Sequence, residues 1–185
     1  MGYYDVYHRA EVVGTRRLTP HLVRVELGGE GLRDWDTSGV PDERLVLVLP
    51  PPGSRTVAEP VTMADGTQDY PDPDDQPPMR SYTVREWDPG APRMSVEFVV
   101  HDGGIASAWA QSARLGDVIY VTEAMGWYRP PADATWQLLV ADLAGLPALA
   151  RAVEQLPAGT ETYVLAEIPS SDDRLEVRSA ADVTW

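Results

Sequence analysis

Apolar and polar residues alternate repeatedly in the first two thirds of the chain, and this pattern predicts β-strands. In Leu22–Leu27, which reads Leu-Val-Arg-Val-Glu-Leu, apolar and charged residues alternate, as expected for a strand with one buried face. Five further segments show a strand-like pattern, namely Val6–Val13, Arg44–Leu49, Ser81–Trp87, Arg93–Val100 and Val118–Thr122. With one intervening helix at Ala106–Ala113, six strands fit a small antiparallel Greek-key barrel.

The hydrophobic pattern changes after Thr135. Trp136–Ala141 is a compact apolar strand, Leu146–Leu156 has helical spacing, and Thr162–Ala166 is apolar again. These three segments predict one βαβ unit. We therefore expect a β-barrel domain over residues 1–133 and an α/β segment over residues 134–185, which suits a chain of 185 residues.

Composition and charge exclude several classes of function. The chain has no cysteine, so disulfides, thiolate metal sites and cysteine-ligated iron–sulfur clusters are excluded and redox chemistry requires a bound cofactor. All 15 basic side chains are arginine, and 29 acids give a net charge of −14, which opposes binding to nucleic acid or to an anionic membrane.

The sequence also bears on location and on metal binding. No apolar run approaches 18 residues and the N-terminus lacks a signal-peptide pattern, so we expect no membrane span and a cytoplasmic protein. His8 and His21 lie far apart without an acidic or histidine partner at ligand spacing, which argues against a metal site.

One predicted strand carries a cation beside an aromatic ring. The stretch Met79–Arg85 reads Met-Arg-Ser-Tyr-Thr-Val-Arg, and side-chain alternation places Arg80 and Tyr82 on one face. A guanidinium suits a pair of phosphate oxygens, and a tyrosine ring can lie on a planar heterocycle. This combination suits a dinucleotide cofactor, although the pattern alone is most often only a strand.

A second stretch, about twenty residues later, places glycines before a helix. His101–Ala110 reads His-Asp-Gly-Gly-Ile-Ala-Ser-Ala-Trp-Ala. Glycines before a helix leave main-chain N–H groups free to meet a pyrophosphate, and Ser107 can add its hydroxyl. Alone, this pattern is most often a turn.

Together the two motifs resemble the siderophore-interacting, FAD-binding family of ferredoxin-reductase-like flavoproteins. Members of that family carry an Arg-x-Tyr-Thr strand and then a His-x-x-Gly-Pro-Ala-Ser-x-Trp-Ala segment. The matching residues here are Arg80, Tyr82, Thr83, His101, Gly104, Ala106, Ser107, Trp109 and Ala110. Ile105 replaces the proline of the family, which adds a main-chain donor.

The resemblance implies a function and a set of site residues. It implies a FAD-dependent ferric-siderophore reductase, in which NAD(P)H reduces FAD and FAD passes electrons to chelated Fe(III), releasing Fe(II). Arg80 would bind the pyrophosphate, Tyr82 would pack on the isoalloxazine and Thr83 would bond near N5. The full cofactor-binding set that we predict is Arg80, Ser81, Tyr82, Thr83, His101, Gly104, Ile105, Ala106, Ser107 and Asp142.

The chain departs from the family pattern in its second part. Ala141–Ala148 reads Ala-Asp-Leu-Ala-Gly-Leu-Pro-Ala where the family has Gly-Asp-Glu-Thr-Ala-Leu-Pro-Ala. The resemblance places Asp142 near the adenine end of the flavin, but the lost residues weaken nicotinamide binding. The chain also ends after about half of a doubly wound nucleotide domain. We therefore expect either a fragment or a flavin half without a complete reductase half.

Two segments and two alternative functions stay open. Pro50–Pro78 is rich in proline and aspartate and predicts a mobile surface loop, with an acidic lid over the flavin as the alternative. Trp127 and Tyr128 are interpreted as core aromatics, with a cover for the flavin as the alternative. The function could also be that of another flavin reductase, or that of a non-enzymatic flavin-binding or interaction module.

Overall fold

The computed structural model describes residues 6–131 and 133–185; the first five residues of the expected barrel domain, and residue 132 near its end, lie outside this description. In chain order the elements are β1 (Tyr7–Thr19), β2 (Leu22–Gly28), β3 (Arg44–Val48), β4 (Val61–Thr62), β5 (Gln68–Asp69), β6 (Met79–Asp88), β7 (Arg93–Val99), α1 (Ile105–Ser112), β8 (Val118–Thr122), β9 (Trp136–Ala141), α2 (Leu146–Glu154), β10 (Glu161–Ala166) and β11 (Asp182–Thr184). Short 3-10 helices lie at Glu30–Leu32 and Ser171–Asp173.

Six strands close an antiparallel barrel in the order β1, β2, β7, β6, β3, β8, which confirms the predicted barrel. β1 extends six residues beyond the predicted end at Val13, because it continues as a ribbon paired with β2 as far as Thr19. Thr15, Arg16 and Arg17 in this extension are exposed, so no apolar alternation marks it in the sequence.

The barrel core also holds α1 in place. Phe98 of β7 is fully buried, and its ring centroid lies 5.5 Å from that of Trp109 on α1. Ala106 and Ala110 are buried on the same face of α1, as the apolar spacing predicts. Trp109 is therefore a core residue, and it fixes α1 against the end of β7.

The segment between β3 and β6 contains structure that the sequence did not predict. β4 and β5 form a small hairpin, and Tyr70 is buried with its ring edge-on to Tyr7 at 5.6 Å. The Tyr70 hydroxyl donates to Ala58 O at 2.9 Å, and Arg55 forms an ion pair with Asp117. The segment thus packs on the barrel, while its mobility and its alternative role as a lid stay predictions.

The second part of the chain contains the predicted βαβ unit. β9 and β10 are parallel, and β11 adds a third parallel strand on the other side of β10. The sequence did not predict β11, because a strand of three residues has too few positions to show a period. One sheet face packs on α2 through Leu146, Leu149, Val153 and Val164.

The opposite face of this sheet carries exposed apolar side chains, among them Trp136, Leu138, Val140, Tyr163 and Leu165. In the described part of the chain, no helix combines the length and apolarity that a membrane crossing requires.

Candidate functional site

The first half of β6 has an open edge. On one side, Met79–Thr83 pairs with β3; on the other, the register with β7 begins only at Val84 opposite Val96. The N–H of Val84 donates to the carbonyl of Glu43 on the β3 side at 3.0 Å. Along a strand, the main-chain N–H and C=O groups of successive residues point alternately to one edge and to the other. Since those of Val84 point to β3, those of Ser81 and Thr83 face the open edge.

A bulge explains why β6 separates from β7 at this point. The register shifts between Val84 and Glu86, so Arg85 is an extra residue on β6. A bulge bends its strand and increases the local twist. The strand half that carries Arg80, Ser81, Tyr82 and Thr83 therefore leaves the β7 ladder, and its polar edge becomes available to a ligand.

The start of α1 supplies main-chain donors. Gly104 is the N-cap and no side chain caps the helix. The helical bonds begin with Ala108 N–H donating to Gly104 O at 2.9 Å, so the N–H groups of Ile105, Ala106 and Ser107 precede the first helical donor and have no acceptor within the helix. These donors lie at the positive end of the helix dipole, where an anion is stabilised.

A side-chain bond closes the turn before α1. Ser107 Oγ accepts from His101 N–H at 3.0 Å and donates to His101 O at 2.9 Å, and Ser107 is 1% exposed. Gly103 has a φ of 77°, which suits glycine. The hydroxyl of Ser107 thus holds the turn instead of pointing out to a ligand, which differs from its expected role on a phosphate. Only the main-chain N–H of Ser107 is left for that role.

Gly104 is required for close packing in the same turn. A Cβ on Gly104 would lie 2.4 Å from Cε1 of His101, so the imidazole occupies the space above this glycine. The His101 ring is exposed on its outer side, and its Nδ1 lies 3.0 Å from Asp102 O. His101 therefore lies beside the start of α1, and its role in cofactor binding stays a prediction.

Tyr82 presents an aromatic ring at the open edge. Its centroid lies 4.4 Å from that of Phe98 with an interplanar angle of 40°, so the ring is held by the barrel core. Burial raises the pKa of Tyr82, and the nearby Arg80 only partly offsets this. The phenol therefore keeps its proton at neutral pH and is able to donate a hydrogen bond.

Arg80 and Thr83 complete the strand half. Arg80 is exposed, and its Nη1 donates to Met79 O at 2.7 Å, which leaves the other guanidinium N–H groups for a ligand. Thr83 is half-buried, and no side-chain hydrogen bond involves it in residues 6–131 and 133–185.

Asp142 lies at the end of β9, in the other part of the chain. Its Oδ1 accepts from Gly145 N–H at 2.9 Å, which organises the turn before α2. No hydrogen bond or ion pair of the described residues joins Asp142 to Arg80 or to α1. The structure thus assigns Asp142 a bond within its own turn, and its contact with a cofactor stays a prediction.

Trp127 and Arg44 border the site, and sequence reasoning missed their arrangement. Trp127 is 54% exposed, so its interpretation as a core residue is wrong. The carboxylate of Asp42 accepts the N–H groups of Trp127 and Tyr128 at 2.8–3.1 Å, and the Arg44 guanidinium lies 4.8 Å from the centre of the Trp127 ring. Gly126 permits this close approach, because a Cβ there would lie 2.7 Å from the Asp42 carboxylate.

These features fit a flavin dinucleotide. The open strand edge offers main-chain groups to a polar ring, Tyr82 offers an aromatic surface, and Arg80 and the α1 amides offer donors for phosphates. Gly104 lets the His101 imidazole pack against the start of α1, because a Cβ there would lie 2.4 Å from Cε1 of His101. Ser81 and Thr83 on β6 and Ile105 and Ala106 on α1 present main-chain groups on this surface.

Comparisons with known proteins show the family to which the chain is related. The siderophore-interacting FAD-binding domain matches residues 11–127, and the siderophore-interacting protein family matches residues 134–185. An uncharacterized protein of Mycobacterium tuberculosis is 36% identical over 183 residues, covering 96% of this chain and 64% of that protein. An NADPH-dependent ferric-chelate reductase of Escherichia coli is 33% identical over 150 residues, covering 81% and 57%.

A solved structure shows the same fold. The crystal structure of a siderophore utilization protein from T. fusca matches with a TM-score of 0.84 and 31% identity, covering all of this chain and 70% of that one. The chain thus spans somewhat less than two thirds of the two relatives named above.

Proposed function

Because the chain belongs to the siderophore-interacting FAD-binding family, we propose that it binds FAD between β6 and α1 and acts in NAD(P)H-dependent reduction of ferric siderophores. The observation that carries this proposal is the open edge of Met79–Thr83 beside the uncapped start of α1. The half of β6 that is not paired with β7 has main-chain groups without a strand partner, and the start of α1 has amides without a helical acceptor. Both sets of groups need a polar ligand or water.

Different residues would bind different parts of FAD. When bound, FAD would supply hydride acceptance from a reduced nicotinamide and single-electron transfer to a ferric chelate. Arg80 and the amides of Ile105 and Ala106 would hold the pyrophosphate, and Tyr82 would pack on the isoalloxazine. Thr83 would donate or accept a hydrogen bond at the ring edge near N5.

The electron donor and acceptor rest on family evidence. A relative named as an NADPH-dependent ferric-chelate reductase and another named as a ferric vibriobactin reductase support both roles. In this chain the donor would approach from the carboxyl ends of β9 and β10, where ligands bind in open parallel sheets. No side chain needs to act as a nucleophile or general base, because the cofactor carries the chemistry.

The test is reduction of iron under anaerobic conditions. Purified protein loaded with FAD is mixed with NADPH, and the flavin absorption is followed; a ferric catecholate or hydroxamate chelate and a colorimetric Fe(II) chelator are then added. We expect the flavin bands to bleach and coloured Fe(II) complex to accumulate over several turnovers. Arg80→Ala serves as a variant with weakened FAD binding.

A second function is favoured by the turn before α2. The Gly145 N–H already donates to the Asp142 carboxylate, and Pro147 has no N–H. The start of α2 therefore offers fewer donors to a dinucleotide than the start of α1 does. A flavin-binding module without its own donor site would fit this difference. If FAD binds but NADPH does not bleach its absorption, the chain is a flavin-binding module and the reductase proposal is wrong for it.

A further inference from the structure

Two side chains of α2 contact β6 at the point where it leaves β7. Arg151 Nη1 donates to the carbonyl of Val84 and, at 2.9 Å, to the carboxylate of Glu43. One turn later, Glu154 accepts two N–H groups of Arg85 at 2.6 and 2.8 Å. Val84 is the first residue of β6 in register with β7, and Arg85 is the bulged residue.

The Glu43–Arg151 pair is buried, and the Glu43 carboxylate accepts several hydrogen bonds. Glu43 is 0% exposed and Arg151 is 8% exposed. The Glu43 carboxylate also accepts the hydroxyls of Thr37 and Ser38 and the N–H of Ser38, at 2.5–2.7 Å. A buried pair that is satisfied in this way becomes strongly destabilising when one partner is removed. The pair is therefore a rigid point in the interface between the barrel and α2.

Both residues of this pair form hydrogen bonds with Val84, which directly follows the half of β6 that carries the proposed site. The main chain of Glu43 accepts the Val84 N–H, and its side chain accepts from Arg151, which in turn donates to Val84 O. Val84 is thus held at both its N–H and its carbonyl. Among the described strands, the half before it, Met79–Thr83, pairs with β3 alone, so its direction depends on how Val84 is fixed.

We infer that Arg151 is a positioning residue for the flavin-binding half of β6. By fixing Val84 it keeps the open edge of Ser81 and Thr83 in the geometry that the cofactor needs. Because Arg151 lies on the helix that begins at the end of β9, it also ties this edge to the α/β part of the chain. The inference rests on the proposed FAD site.

A second polar anchor provides a matched control. Asp173 is 0% exposed and accepts from the Thr19 hydroxyl at 2.7 Å and from the His21 N–H at 3.0 Å. It joins the C-terminal part to the turn between β1 and β2, and no described hydrogen bond links it to β6. Loss of this anchor loosens the same interface without touching Val84.

The experiment compares Arg151→Met with Asp173→Asn. The first readout is amide hydrogen exchange in flavin-free protein at Val84 and Tyr82, whose N–H groups face β3. The second readout is the dissociation constant for FAD. For Arg151→Met we expect exchange at both amides to rise about tenfold or more and FAD affinity to fall about tenfold. For Asp173→Asn we expect a lower melting temperature, with both readouts within about twofold of wild type.

Two further variants keep the test decisive. Arg151→Lys retains a cationic donor and should restore part of the lost FAD affinity. If Arg151→Met does not fold, Glu43→Gln, which keeps most of the shape, should show the same two effects at smaller size. Equal changes in exchange and FAD affinity in Arg151→Met and Asp173→Asn would overturn the inference. If wild-type protein takes up no FAD, the proposed function is wrong. Even then, faster exchange at Val84 in Arg151→Met but not in Asp173→Asn would support the role of Arg151 in positioning the strand.

Discussion

The helices α1 and α2 both follow a strand and both begin after a glycine, yet their first turns differ. At α1, the amides of Ile105 and Ala106 have no partner in the described chain, and Ser107 holds the preceding turn from inside. At α2, the N–H of Gly145 is bonded to Asp142, and Pro147 supplies no donor. The start of α1 has main-chain donors available to an anion, whereas at the start of α2 the Gly145 donor is bonded within its own turn and Pro147 lacks one.

This difference shows why similar sequence patterns need not give similar sites. A glycine before a helix leaves donors available only if neighbouring side chains do not use them. Serine at α1 bonds the main chain of the loop, whereas aspartate at α2 bonds the glycine amide directly. We therefore expect cofactor affinity to depend strongly on the α1 side and weakly on the α2 side.

The largest effect is expected at Arg80, which would share the pyrophosphate with the α1 amides in the proposed site. Arg80→Ala should lower FAD affinity about 10- to 100-fold, because a charge-assisted hydrogen bond contributes roughly 1.5–3 kcal/mol. Titration calorimetry measures the change, with the exposed Arg178→Ala as control. A dissociation constant within about twofold of wild type would contradict the pyrophosphate contact.

Ser107 tests the closed turn before α1. Ser107→Ala removes both hydrogen bonds to His101 and should reduce the free energy of unfolding by about 1–3 kcal/mol. Because the turn then loosens, FAD affinity should fall about five- to tenfold. Ser112→Ala, at the other end of α1, is the control, since its hydroxyl bonds only carbonyls of the helix itself. Equal FAD affinities in the two variants would show that the turn does not preorganise the site.

Gly104 tests the close contact with His101. Gly104→Ala places a Cβ where Cε1 of His101 lies, so the imidazole must move and FAD affinity should fall about threefold. In a double-mutant cycle, adding Gly104→Ala to His101→Ala should cost little more, because the clash is absent. Additive losses would mean that the two residues act separately on the cofactor.

The smallest effect on FAD is expected at the α2 start. Asp142→Ala should lower the free energy of unfolding by about 0.5–1.5 kcal/mol through loss of the bond to Gly145, while FAD affinity stays within about twofold. Glu167→Ala, an exposed acid just after β10, is the matched control. A fivefold or larger loss of FAD affinity in Asp142→Ala alone would instead place this carboxylate on the cofactor, as the family resemblance implies.

Much of the fold could be predicted from the sequence, because its strands alternate in polarity. Val118–Thr122 and Trp136–Ala141 have the predicted bounds, and the closed barrel follows from six such strands. The extension of β1 through Arg16 and the hairpin of β4 and β5 could not be predicted, since polar residues there carry no period. Tyr70 is held by contacts with Tyr7 that are remote in sequence.

The sequence indicates the two elements of the candidate site but not their geometry. The motifs at Arg80 and His101 identify the two elements, whereas the opening of β6 arises from a bulge at Arg85 and from contacts with α2. Those contacts join residues far apart in the chain, such as Arg85 and Glu154. The inward direction of the Ser107 hydroxyl likewise depends on the turn that surrounds it.

The central claim is that the open edge of β6 and the start of α1 bind FAD. The most direct measurement is an equilibrium titration of the purified, flavin-free chain with FAD, followed by visible absorption and by gel filtration. We predict about one FAD bound per chain with shifted, better-resolved flavin bands, as expected for a ring transferred from water to an apolar surface. Protein that elutes without flavin after exposure to excess FAD would contradict the account.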